Sequence, residues 1–578
     1  MCGIFGITSY NPELIKTIIN KCSHRGPDGS DLYACDKVTL GHNLLAITSN
    51  PSDGKQPWIS EKGNVLIYNG ELFNYKNLLN RFRSKFFQKT TCDTELLSWL
   101  LDEFEYEEVI SNIIDSMHSI AFYNKIKNEL VLSRDHVGIK PLFFSLNKSG
   151  LIFSSEIKGL LDHVQNSNKI DKLALSCTSL LGVNVLRQTV FNNIYKVLPG
   201  ETIIYNIDEK KIKKTFRTNV KPFSDKKFNS EEFIYKTSET VSNSSLGLRK
   251  FGMFLSGGID SSVVAYELKK IIKNLDTFTN VMEPNAIIKG EDHNSDFNVA
   301  KKFSRDNNFN HSKVSITPEI ILENWDSSIY CIEEPRYNWN LPMYYYTNKF
   351  LSNKKIVVTM SGDIGDEIFG GYQSYFNFRN LVNKPKTWRD FIKLWSKKFA
   401  SPIELNIRFD HNDLVDILCE ELPNELWNPD DIANSAMALD CITTVSEDFF
   451  SRNDRFGMAF SMEGRFPLAS KNYMQYCLSI SSQDKLGINS SETKIPIKSS
   501  YNKILPNYIL TKYKTGWSVP ITQWLQTSEK LQKKYLDTIN TSDGISEILS
   551  KTNYEKNIKK IIITWMFRTW SQQYNMNL

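Results

Sequence analysis

The chain has 578 residues, 41% of them hydrophobic and 12% aromatic, enough for two to four domains of roughly 100 to 200 residues each. Its formal net charge of +5 is small for that length and the two signs are mixed, so nothing implies nucleic acid as a partner. The nine cysteines form no C-x-x-C pair or zinc-like cluster with histidine, and no run of about 18 apolar residues could span a bilayer, so a reduced, cytoplasmic protein without membrane contact is expected.

The chain opens MCGIFGI. A small residue at position 2 lets the methionine be trimmed, which would leave a thiol and a free α-amine together on Cys2. An amine of pKa roughly 7.7 to 8.0 can take the thiol proton and later return it to a leaving amine. The plain alternative is an ordinary small apolar residue. Over 1–206, short alternating runs such as KVTLGHNLLAI, GNVLIYNGELF, SIAFYN, ELVLSRD and ETIIYNI predict stacked antiparallel sheets with helices outside them, an α+β domain. Residues 207–230 are charged, contain Pro222 and lack apolar periodicity, which reads as a linker. Within 231–578, strand, glycine turn and helix follow one another in KFGMFLSGGIDSSVVAYELKK, and KKIVVTMSG adds a strand. A mostly parallel α/β sheet with covering helices is expected there, followed by a mainly helical end.

In FLSGGIDSS a strand ends at Leu255, Ser256, Gly257 and Gly258 turn, and a helix starts near Asp260, Ser261 and Ser262. Glycine-turn amides and a helix N-terminus bind phosphate, and the hydroxyls add donors. The lysine of a G-x-x-x-x-G-K-[ST] loop is missing. The stretch resembles instead the S-G-G-x-D-S-S pyrophosphate loop of ATP pyrophosphatases. A second strand-to-loop segment, VVTMSGDIGDEIFGGY, carries Ser361, Gly362, Asp363, Asp366 and Glu367. Carboxylates opposite a phosphate loop can hold Mg2+ against pyrophosphate.

With both ends read, the chain resembles the glutamine-dependent asparagine synthetase family along nearly its whole length. The matching pieces include MCGIFGI, HRGPDGS, YNGELFNY, TTCDTELL, RDHVGIKPLFF, LSGGIDSS, SGDIGDEIFGGY, SMEGRFP and TKYKTGWSVP. The resemblance implies an N-terminal-nucleophile glutaminase domain in front of an ATP-pyrophosphatase synthetase domain. Cys2 matches the nucleophile, and Asn69 with the Gly70 amide matches the oxyanion donors. Glu71 and Asp93 match the partners of the glutamine α-ammonium, where carboxylates make charge-assisted hydrogen bonds. Asn69-Gly70 also suits a hairpin turn, and Asp93 a helix cap. On the synthetase side the resemblance implies ATP and Mg2+ as cofactors, with Asp260 and Asp366 as metal ligands. Lys514 matches the lysine facing pyrophosphate and Glu463 an acidic residue of the acceptor site. Adenylation of a carboxylate, by default aspartate, and its amidation by channelled ammonia follow. Family members are often homodimers.

Four segments depart from the family pattern. Leu44 stands where an arginine binds the glutamine α-carboxylate, a bidentate contact that leucine cannot make; either another cation serves, with Arg25 the candidate, or glutamine binds weakly, or the amide donor differs. Asp363 and Ile364 replace residues that are often glutamate and usually glycine. Asn338, Trp339 and Asn340 change the acceptor-side segment, and Ser470 replaces an aspartate. The last three departures are expected around the synthetase site, and they raise a non-aspartate carboxylate as an alternative acceptor. A scaffold that keeps the fold without turnover is the alternative of another class.

Overall fold

Side chains along the N-terminal strands alternate between two apolar layers, as a sheet covered on both faces requires. Ile4, Val65, Ile67, Ala121, Tyr123, Leu130 and Leu132 enter the layer between two sheets. Their neighbours Leu66, Ile120, Phe122 and Val131 face the helices that cover the second sheet. In the computed structural model, which describes residues 2–576 apart from 149, 223–225, 286, 289–290, 399–410, 513–517 and 540–557, the result is four layers: helix, sheet, sheet, helix. In spatial order the first sheet runs Tyr195–Lys196, Phe143–Asn147, Gly150–Ser154, Gly3–Ile7, Thr39–Leu44 and Gly29–Ala34. The second runs Lys211–Arg217, Glu201–Asn206, Glu129–Arg134, Ser116–Asn124, Val65–Leu72 and Trp58–Ile59. All of these pairings are antiparallel.

One boundary shifts. Residues 207–217, expected as linker, include the strand Lys211–Arg217, which pairs with Glu201–Asn206 and extends the second sheet. The next element is the helix Ser230–Ser244.

The second half is built on a five-stranded sheet in the order Asn310–Ile316, Asp276–Met282, Phe251–Phe254, Val358–Met360, Glu463–Arg465, with every pairing parallel. Helices cover it, and the end of the chain is helical as expected. The two halves share their cores. Phe5, Ile15, Ile18 and Phe191 lie in one cluster with Trp325, Trp565 and Trp570. Within that cluster Trp325 stacks on Trp565 with ring centroids 3.7 Å apart. Phe191 meets Trp570 and Tyr574 edge-on, at 5.7 and 5.1 Å. No helix among the described residues is long and apolar enough to cross a membrane.

Candidate active sites

Cys2 immediately precedes the strand Gly3–Ile7. Its backbone N–H donates to Asn69 Oδ1 at 2.9 Å, and its carbonyl accepts from Arg25 Nε at 3.1 Å. The thiol is buried against Leu44 and Ala46. That burial pushes it above its ordinary range, while the Leu45 backbone and Arg25 pull it partway back. Asn69, Gly70 and Glu71 follow one another on the strand Val65–Leu72. With Oδ1 committed to Cys2, Asn69 Nδ2 is buried without a hydrogen-bond partner in the described structure. An unspent buried donor beside a nucleophile suits an oxyanion, since orphaned donors are otherwise costly. Gly70 tolerates no side chain: a Cβ would lie 2.2 Å from the Met117 carbonyl oxygen and 2.6 Å from the Tyr68 ring.

Asp93 opens the helix Asp93–Glu103, and its Oδ2 accepts from the Leu72 N–H at 3.0 Å, tying that helix to the strand bearing Glu71. Burial raises both carboxyls; for Glu71, Asp93 and Glu463 push the same way and Arg465 pulls back. Sequence reasoning missed Arg465. It is fully buried, its Nη2 lies 3.0 Å from Glu71 Oε2, and its Nε lies 2.5 Å from Glu463 Oε1. Its only signal was a place two residues after Glu463 in SMEGRFP. Glu463 accordingly stands beside this pair and not in the wall of the nucleotide-type cavity described below.

Arg25 is corrected as a carboxylate-binding candidate. Its Nη1 lies 2.8 Å from both Glu156 and Asp454, and its Nη2 lies 3.1 Å from Asp454. The guanidinium is therefore spent on buried carboxylates and on holding the Cys2 backbone.

The second site is a cavity of about 450 Å³ between the two glycine loops, lined among others by Ser256, Gly258, Asp260, Ser261, Gly362, Asp363, Asp366, Arg452 and Lys494. The strand Phe251–Phe254 leads to Gly257 at φ +72°, and Gly258 caps the helix Ile259–Lys269. A Cβ on Gly257 would lie 2.8 Å from the Asp296 carbonyl oxygen. Ser262 Oγ donates to the Gly258 carbonyl at 2.8 Å, and Ser256 and Ser261 hydroxyls meet at 3.0 Å. The second loop presses against the first, since a Cβ on Gly362 would lie 2.6 Å from Ser261 N. Leu255 and Ser361 complete the walls. Asp363 accepts from Ser361 Oγ at 2.8 Å, and burial raises its carboxyl. The neighbouring Ile364 adopts φ +72°, a left-handed backbone that glycine accepts freely and a β-branched residue does not.

Asp260 and Asp366 converge on one cation. The Lys494 ammonium pairs with Asp260 and lies 2.7 Å from Asp366, and although burial works against its charge, these two carboxylates hold its pKa up. Two carboxylates with no nitrogen or sulfur donor fit Mg2+, which normally takes one or two carboxylates plus phosphate and water oxygens. Lys494, in a segment without a glycine loop, was not found from sequence. Lys514 lies outside the described residues.

The substituted positions separate. Asn338 and Asn340 line the cavity, whereas Trp339 Nε1 donates to Ser518 Oγ at 3.0 Å. Ser470, expected near this cavity, instead donates to Asp115 Oδ2 of the first half at 2.7 Å and caps the helix Lys471–Leu478. The helix Ser451–Met458 touches both sites: Asp454 grips Arg25 behind Cys2, while Arg452, Asn453 and Phe456 line the cavity.

Comparison with known proteins fits this geometry. A family described as "Glutamine amidotransferase domain" matches residues 1–217, and one described as "Asparagine synthase" matches residues 236–572. "Asparagine synthetase [glutamine-hydrolyzing] 1" of Bacillus subtilis is 25% identical, over 99% of this chain and 96% of its own. "Putative asparagine synthetase [glutamine-hydrolyzing] 2" of Methanocaldococcus jannaschii is 27% identical, over 76% of this chain and 88% of its own.

Proposed function

Because the chain belongs to the asparagine synthase family, with a glutamine amidotransferase domain in front, we propose that it hydrolyses glutamine at Cys2. The ammonia then amidates a carboxylate that ATP has adenylated, with aspartate as the default acceptor and asparagine as product. The observation that carries this reading is the pairing of Cys2 with Asn69, which anchors the nucleophile through Oδ1 and leaves Nδ2 unspent.

With Met1 removed, the α-amine of Cys2 takes the thiol proton and the thiolate attacks the glutamine side-chain amide. Asn69 Nδ2 and the Gly70 N–H meet the oxyanion, and Glu71 and Asp93 hold the α-ammonium. The amine proton goes to the departing ammonia, and water then releases glutamate from the thioester. At the cavity the loop amides and the hydroxyls of Ser256 and Ser261 cradle pyrophosphate, while Ser262 braces the loop through the Gly258 carbonyl. Mg2+ held by Asp260 and Asp366 would neutralise phosphate charge there. Lys494, beside the same carboxylates, adds a cation toward the phosphates, and Lys514 belongs to the same reading. Passage of ammonia inside the protein is supported by the helix Ser451–Met458 lying against both sites.

Asn338 and Asn340 in the cavity wall favour a second reading in which the chemistry is the same but the carboxylate is not aspartate. The deciding experiment follows AMP, pyrophosphate and glutamate from the methionine-trimmed protein given ATP, Mg2+ and glutamine, with and without aspartate. AMP and asparagine in equal, aspartate-dependent amounts are expected. Glutamate without aspartate-dependent AMP would keep the glutaminase and move the acceptor to another carboxylate; no glutamate at all would remove the glutaminase reading.

A further inference from the structure

The glutamine site has a charge problem that its own domain does not solve. Glu71, Asp93 and Glu463 are buried together, and like charges so placed repel while burial penalises each. Leu44 contributes an apolar wall beside the thiol, and Arg25 is consumed by Asp454 and Glu156. The guanidinium that reaches the cluster comes from the other half of the chain, on the strand Glu463–Arg465 of the parallel sheet.

Arg465 is held as a rigid fork. Nη1 donates to the Ser244 carbonyl at 2.9 Å and to the Leu246 carbonyl, Nε faces Glu463 at 2.5 Å, and Nη2 reaches Glu71 at 3.0 Å. A fork fixed at three corners presents its fourth contact at a defined place, which a flexible ammonium would not do. We propose that Arg465 is a positioning residue of the glutaminase site: it fixes Glu71 and offsets the negative charge shared with Asp93 and Glu463. Recognition of the amino-acid head of glutamine thereby depends on a residue of the synthetase half. This rests on the glutaminase reading of Cys2.

The groups that face Glu71 among the described residues are Asp93 at the start of the helix Asp93–Glu103, Tyr68 on its own strand, and Glu463 and Arg465 across the domain contact. Removing Arg465 takes away the side-chain cation that holds Glu71 ionised and leaves burial and two carboxylates pushing it toward protonation. Glutamine binding in an Arg465→Met variant should therefore strengthen more with rising pH than in the parent enzyme.

The test uses the full chain and two thiol reagents, a diazoketone analogue of glutamine that carries the α-amino-acid head and iodoacetamide that does not. In Arg465→Met, Cys2 should react about tenfold more slowly with the diazoketone, the size of one lost charge-assisted contact. Its rate with iodoacetamide should stay within about twofold, and the KM for glutamine should rise more than kcat falls. Arg465→Lys should fall between. Glu71→Gln should reproduce the loss, and adding Arg465→Met to it should cost little more. If Arg465→Met does not fold, Arg465→Lys and Glu71→Gln give the answer with the same pair of reagents. Equal slowing by both reagents, or none by either, overturns the proposal. A parent enzyme whose Cys2 ignores the diazoketone overturns instead the glutaminase reading beneath it.

Discussion

Around the thiol, Cys2, Asn69, Glu71, Asp93 and Arg465 are all buried, and their polar atoms are largely spoken for by other parts of the protein. Around the glycine loops, Asp260, Asp366, Arg452 and Lys494 face a cavity of about 450 Å³. The first region meets its charges with protein groups brought in across a domain contact; the second keeps its charges turned toward space that a polyanion can fill. Charges are closed off inside protein in one and paired at the wall of an open cavity in the other, so the same kind of substitution should register differently in the two.

The sharpest way to break the contrast is at Asp454, whose carboxylate holds the guanidinium behind Cys2 from inside the other half. Asp454→Ala leaves the buried Arg25 with Glu156 alone, a loss approaching the about 3–5 kcal/mol of a broken buried pair; chemical denaturation should show it as a lower midpoint at unchanged slope. Next is Asn69→Ala, which removes the unspent donor and the Cys2 anchor together. Glutamate release should fall about 10²- to 10³-fold, with synthesis from added ammonia retained in the same preparation.

A third test is acid. Burial opposes its charge, but Lys196 and Arg134 of the first half hold Glu447 down to about 2, at 3.0 and 3.2 Å. A carboxyl lower in the folded than in the unfolded chain stabilises above the unfolded pKa, and this is lost as pH falls from about 4.5 toward 2. One pKa unit is about 1.36 kcal/mol, so the contribution is at most about 3 kcal/mol. Melting temperatures of Glu447→Gln should accordingly depend less on pH across that window than those of the parent. The smallest effect is expected at the open site, where Lys494→Met should lower pyrophosphate release about 10²-fold, roughly 2.7 kcal/mol, and leave glutamate release near the parental rate. A loss of folding stability as large as that of Asp454→Ala would erase the distinction between the two regions.

Local patterns made much of this legible. Alternating residues announced the stacked antiparallel sheets, and SGGIDSS with SGDIGDEIFGG announced the walls of the cavity. What stayed hidden was pairing across long separations. Arg465 meets Glu71 from 394 positions away and Ser470 meets Asp115 from 355; no local period encodes either. The strand Lys211–Arg217 failed for another reason. Its first five residues are exposed and it lies at a sheet edge, where lysines discourage pairing with other chains, so the composition imitates a linker.

The shared core also bears on how the molecule is made. The helix Ile558–Gln573 follows the whole first half in the chain, yet its Trp570 packs on Phe191 and its Trp565 on Trp325. The outer face of the first sheet, with Phe5, Ile15 and Ile18, therefore waits for its final cover until that helix has been made. The nascent first half carries an apolar surface until then, and that surface is what chaperones would hold.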